Sequence, residues 1–121
     1  MNSILLKQQF LQRSFGNDNN DLTVGDVCTD ILAMKEYLGQ EITELVEEVA
    51  GSRTILKPWK KGYTDLYEQP FISTDKVKEE AIDALCFAMN ICLLAGITPD
   101  NVDEEYSKVF NKNINRIKIG Y

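Results

Sequence analysis

Apolar residues return every third or fourth position along most of this chain, and no stretch alternates convincingly as a strand would. Over residues 25–50 the apolar positions are Val27, Ile31, Met34, Leu38, Ile42, Leu45, Val46 and Val49, which is one stripe of a long helix. Gly51 stops it, and Gly39 is a place where it is expected to break or bend. A first helix is expected over 3–14, ending at Gly16, with a polar Asn/Asp-rich connector over 17–26. Ser73, Thr74 and Asp75 form a capping cluster for a helix that ends at Gly96. Thr98 followed by Pro99 reads as the cap and first position of a last helix running to about residue 118. The segment 52–72 reads as a long loop around Lys57-Pro58-Trp59-Lys60-Lys61-Gly62, and a loop of that length in a small domain is usually functional. The expectation is one all-α domain over 1–121, a bundle of four to five helices, since 121 residues suffice for one modest core.

The count that most restricts the chemistry is zero histidine. It removes Ser-His-Asp and Cys-His catalysis and nearly every zinc or iron site. Acid–base and metal work falls to Asp, Glu, Lys, Tyr and Cys, and carboxylate oxygens favour hard ions such as Mg²⁺ or Mn²⁺. A carboxylate-bridged di-iron bundle is disfavoured because it needs Glu-x-x-His. The net charge of −6 speaks against a broad basic surface for nucleic acid polymers. No apolar run approaches the roughly 18 residues of a membrane span, and the first residues carry no signal-peptide pattern. Cys28, Cys86 and Cys92 form no CxxC and read as buried thiols in a reducing, cytoplasmic setting.

Carboxylates are patterned on two of the helices. Glu41, Glu44 and Glu48 share a stripe at i, i+3 and i+7 along the edge of the apolar face, whereas Glu47 points outward and reads as solvated. On the following helix Glu80 falls among Val77, Ala84, Phe87 and Ile91, with Asp83 and Asn90 on the flank. A carboxylate inside an apolar arc is costly unless a cation sits against it. Two such acid pairs facing each other on neighbouring helices would make a metal pocket; taken singly, each is also what a solvated amphipathic helix carries.

Glu41-Ile42-Thr43-Glu44 and Glu80-Ala81-Ile82-Asp83 resemble the ExxE and ExxD motifs of the all-α nucleoside triphosphate pyrophosphatases, the MazG-like and dimeric-dUTPase-like enzymes. The run from Asp83 to Thr98 is similar to the dUTPase continuation. Asn113, Arg116, Gly120 and Tyr121 fit its N-x-x-R-x-x-x-G-Y ending, Lys57 to Lys61 resembles its Trp/Lys-rich loop, and Gln8 and Gln12 loosely match its first-helix amides. The chain departs from the pattern in three ways. Cys86 stands where that branch often has His, the gap between the acid motifs is longer than MazG usually allows, and the chain is shorter than the usual dimeric dUTPases.

The resemblance implies Mg²⁺, with Mn²⁺ as a substitute, held by Glu41, Glu44, Glu80 and Asp83. It also implies hydrolysis of a deoxynucleoside triphosphate, dUTP first, to the monophosphate and pyrophosphate. Glu44 or Glu48 would orient or deprotonate the attacking water, with Glu80 in the reacting cluster. Lys112, Asn113 and Arg116 would reach phosphate oxygens, although a basic last turn also complements the helix dipole. Trp59 would stack on the base, or pack its own loop, with Lys60 and Lys61 toward phosphate. Tyr121 would fold over the site or fray. Gln8, Gln12 and Asn90 complete the candidate substrate contacts, and Phe87 stands between base-stacking and core, with core favoured. Ile91, Leu93 and Leu94 together with Ile4, Leu5, Phe10 and Leu11 leave apolar surface for a homodimer or homotetramer. The same chemistry on dCTP, dGTP or another nucleotide, and a non-catalytic helical dimerisation module, are the alternatives.

Overall fold

The computed structural model describes residues 2–16 and 21–120. They form five α-helices: α1 (Asn2–Ser14), α2 (Val24–Ala50), α3 (Tyr63–Tyr67), α4 (Asp75–Leu94) and α5 (Val102–Lys118). A 3₁₀ turn, Arg53–Leu56, lies between α2 and α3, and the described residues contain no strand. Among the described residues no helix is long and apolar enough to cross a membrane.

The helix ends follow local side-chain chemistry. Thr23 and Asp26 exchange bonds at the start of α2: the Asp26 amide donates to Thr23 Oγ1 at 3.0 Å and the Thr23 amide donates to Asp26 Oδ2 at 3.1 Å. This reciprocal box starts the helix slightly earlier than Gly25 or Asp26. Thr74 caps α4, its hydroxyl accepting from the Val77 amide at 3.1 Å. At the far end of α4, Gly96 has φ +96°, the Ile97 amide reaches back to Cys92 O at 2.9 Å, and the Gly96 amide reaches Leu93 O at 3.2 Å. That is the glycine-terminated stop expected there. The last helix begins later than Thr98-Pro99 suggests. Thr98 and Asn101 bond reciprocally at 2.8 and 3.2 Å, closing a turn over Pro99 and Asp100, and α5 starts at Val102.

Gly39 neither breaks nor interrupts α2, which is continuous through it. A helical ladder on both sides outweighs the roughly 1 kcal/mol that glycine costs in a helix interior. A Cβ built at Gly39 meets nothing within 4 Å. Gly39→Ala is therefore expected to stabilise the protein by about 0.5–1 kcal/mol, read as a shift of the urea midpoint. A loss instead would mean that this open side of α2 is covered in solution.

Residue contacts divide the chain into two compact units, Met1–Ile31 with Met89–Tyr121, and Leu32–Ala88. In the first unit Leu5, Met89 and Leu93 are buried, and so are two amides, Gln8 and Asn90. Gln8 Nε2 donates to Asn90 Oδ1 at 2.8 Å, so two groups that would be costly to bury singly satisfy each other. Burial of Leu5 and Leu93 removes them from the apolar surface expected to be left for assembly, while Ile4, Phe10 and Leu11 remain exposed.

In the second unit α2 and α4 are pinned by Tyr37 and Phe87, whose ring centroids lie 5.7 Å apart at 40°. Val77 is buried there, yet Ile42, Val46 and Val49 on the α2 stripe are exposed. The segment 52–72 is not a plain loop. Ser52 caps the 3₁₀ turn through the Thr54 amide at 3.1 Å, and α3 follows, with Tyr63 and Tyr67 stacked at 5.7 Å.

Candidate metal centre

The helical stripes of α2 and α4 converge on an acidic cluster. Glu41, Glu44 and Glu80 each offer one carboxylate oxygen, and the three oxygens lie within 4.8 Å of one another. Glu44 is exposed, Glu41 half-buried and Glu80 buried. Two of these residues each carry a buried oxygen with no hydrogen-bond partner, Glu41 Oε2 and Glu80 Oε2. Burying carboxylate oxygens is expensive unless partners offset the loss of hydration. Burial pushes the Glu41 carboxyl above its ordinary range, and the charges of Glu44, Asp83 and Glu80 push it the same way, as does hydrogen bonding to Glu44.

Asp83 stands outside the set of three oxygens, but it is half-buried and close enough for its charge to act on Glu41. Glu48 is also half-buried. It lines, with Glu44, Glu47, Glu80, Ser52 and Arg53, an open groove beside the cluster. Glu47 is not the solvated outward acid that spacing alone suggests. It is held by Arg53 Nε at 3.3 Å, because the 3₁₀ turn folds Arg53 back along the last turns of α2.

Sequence spacing also passed over Lys76, whose Nζ lies 3.1 Å from Glu80 Oε1 and 3.8 Å from Glu79 Oε2. The signal was present as a lysine four positions before the buried acid, the i,i+4 spacing of a helical ion pair. The Lys76 ammonium is held above its usual range, first by its hydrogen bond to Glu80 and then by the charges of Glu79 and Glu80, with Glu48 adding to them. The cysteines are not uniformly buried. Cys28 and Cys92 are exposed, because both fall off the packed faces of their helices. Cys86 is half-buried near the cluster, and burial, Asp83 and Glu41 all raise its thiol pKa, so it stays protonated and is a poor nucleophile.

The remaining candidates are distributed as follows. Trp59, Lys60 and Lys61 are exposed on the turn before α3, in the same unit as the cluster. Trp59 is 77% exposed, so it does not pack its own loop. Phe87 is engaged with Tyr37 in that unit. Gln8 and Asn90 form the buried amide pair of the other unit, Gln12 is half-buried there, and on α5 Lys112 and Asn113 are exposed while Arg116 is half-buried. Tyr121 lies outside the described residues.

Chemically, three carboxylate oxygens at this spacing suit a hard divalent cation. Oxygen ligands are what Mg²⁺ and Mn²⁺ prefer, and a cation held by these residues would offset the charge buried at Glu41 and Glu80. No protein-family model, no curated protein and no solved structure matches the chain at a significant level.

Proposed function

We propose that this chain is a divalent-metal-dependent nucleoside triphosphate pyrophosphohydrolase of the all-α MazG or dimeric-dUTPase type, acting on a deoxynucleoside triphosphate, dUTP first, to give the monophosphate and pyrophosphate. The observation that carries this reading is the pair of buried carboxylate oxygens without partners, Glu41 Oε2 and Glu80 Oε2, beside Glu44 in one cluster. Glu41, Glu44 and Glu80 would hold Mg²⁺, with Asp83, whose charge reaches Glu41, as the fourth carboxylate. The ion supplies charge neutralisation for the triphosphate and its leaving pyrophosphate. With no histidine in the chain, a carboxylate must orient the attacking water and take its proton. Glu44 is exposed and Glu48 lines the adjoining groove, so both stand where solvent can reach them.

Assembly as a homodimer or homotetramer belongs to the same proposal. Ile4, Phe10, Trp59, Phe71 and Ile72 are exposed apolar side chains of the kind that subunit contacts cover. The same exposure favours a second reading, a helical dimerisation module without catalysis.

A panel of deoxynucleoside triphosphates with Mg²⁺, read as released pyrophosphate, separates the readings. The expected outcome is turnover of at least one of dUTP, dCTP and dGTP that stops with chelator. If no nucleotide is cleaved at any Mg²⁺ or Mn²⁺ concentration, the dimerisation module stands instead.

A further inference from the structure

The cluster already has a cation of its own. Lys76 Nζ sits on Glu80 Oε1 at 3.1 Å, yet the lysine side chain is 54% exposed and one turn of α4 away in sequence, so it can leave without disturbing the helix. Its ammonium contacts one oxygen of Glu80 and leaves the other, Oε2, without a partner. An ammonium is a single point charge on a flexible stem, which suits a partner that must exchange. The acids around it come from both helices: Glu79 and Glu80 on α4, and Glu48 on α2.

We propose that Lys76 is an exchangeable counter-ion of the acidic cluster. It neutralises Glu80 while no divalent ion is bound, gives Glu80 up when one enters, and then contacts the polyphosphate of the substrate. This rests on the metal-dependent reading above. The swap keeps charge balanced throughout: the buried carboxylate is never left without a cation, and the freed ammonium meets an anion arriving with the nucleotide. It also assigns a substrate contact to a residue in the same unit as the cluster.

The test uses the full chain and two probes, Mn²⁺ alone and an α,β-imido deoxynucleoside triphosphate with saturating Mg²⁺, both followed by calorimetry. Lys76→Met is expected to bind Mn²⁺ about threefold to tenfold tighter than the parent, because a competitor worth a partly exposed ion pair has gone. It is expected to bind the nucleotide analogue about tenfold more weakly. Lys78→Met, which removes the same charge from the same helix, should change both by less than about twofold. In the unaltered protein, acylation of Lys76 followed by mass spectrometry should speed up as Mn²⁺ is added, while that of Lys78 stays constant.

Unchanged or weaker Mn²⁺ binding by Lys76→Met overturns the counter-ion role, as does equal tightening in Lys78→Met or a flat Lys76 acylation rate. Unchanged affinity for the analogue overturns the phosphate contact. If the unaltered chain takes up no Mn²⁺ at all, the metal-centre reading fails first and takes this proposal with it. If Mn²⁺ binds and only the Lys76 comparisons fail, the metal centre stands.

Discussion

Glu80→Gln is expected to lower pyrophosphate release by about 10²–10³-fold, a rise in the barrier of roughly 3–4 kcal/mol, while leaving the metal-free protein folded. The amide has the same shape as the carboxylate, so packing beside Val77 is kept and only the charge is lost. Glu80 sits at the buried end of the cluster, where a missing anionic ligand cannot be replaced by a water from bulk. The stability of the metal-free variant is the control. Removing one of several mutually repelling carboxylates relieves the pressure on Glu41, whereas the ion pair with Lys76 is weakened. These effects oppose each other, and the melting temperature should move by only a few degrees. Full activity in Glu80→Gln would sink the site. A collapse of the fold together with activity would show that Glu80 serves structure.

The second large effect is stabilisation by the ion itself. Each Mg²⁺ or Mn²⁺ bound only by the folded state contributes about 2.7 kcal/mol at a free concentration one hundred times its Kd, which for a chain of this size is a rise of roughly 10 °C. The gain should depend on pH in a definite direction. Because Glu41 has its pKa raised in the folded state, the folded form binds more protons than the unfolded form across the window from the ordinary glutamate range up to that raised value. Metal-free stability therefore falls as pH rises through that window. Protons compete with the ion at every pH below that raised value, so the rise in melting temperature should be larger at pH 8 than at pH 5. Differential scanning calorimetry at both values, with Mg²⁺ or with chelator, reads this directly. A melting temperature indifferent to Mg²⁺ at both would leave the acidic cluster without a ligand.

Much of the helical framework could be read from residues, because its signals are local. Thr74, Gly16, Gly51 and Gly96 mark ends through backbone bonding that a few neighbours decide. The meeting of Glu41 and Glu44 with Glu80 was legible for a related reason: acids at helical spacing share one stripe on each helix, and two such stripes on packed helices can face a common place. Periodicity was silent on what covers an apolar stripe. Ile42 and Val49 have the spacing of core residues and remain exposed, since spacing reports a face and says nothing of its neighbour. Arg53 meeting Glu47 depended on a turn within 52–72 whose course no repeat announces. Lys76 was overlooked differently. Its spacing from Glu80 was plain, but a surface lysine becomes informative only once its partner is known to be buried.

Trp59 is the sole tryptophan in the chain, and most of its surface faces solvent. The protein thus carries one indole, which can be excited apart from its tyrosines at the red edge of absorption, placed on the turn whose purpose is in question. Emission from an indole in water lies far to the red, so any event that covers this ring shifts its colour without a label or a substitution. Dilution varies subunit contact and a nucleotide titration varies ligand occupancy. One spectrum followed along both axes would tell which of the two Trp59 serves.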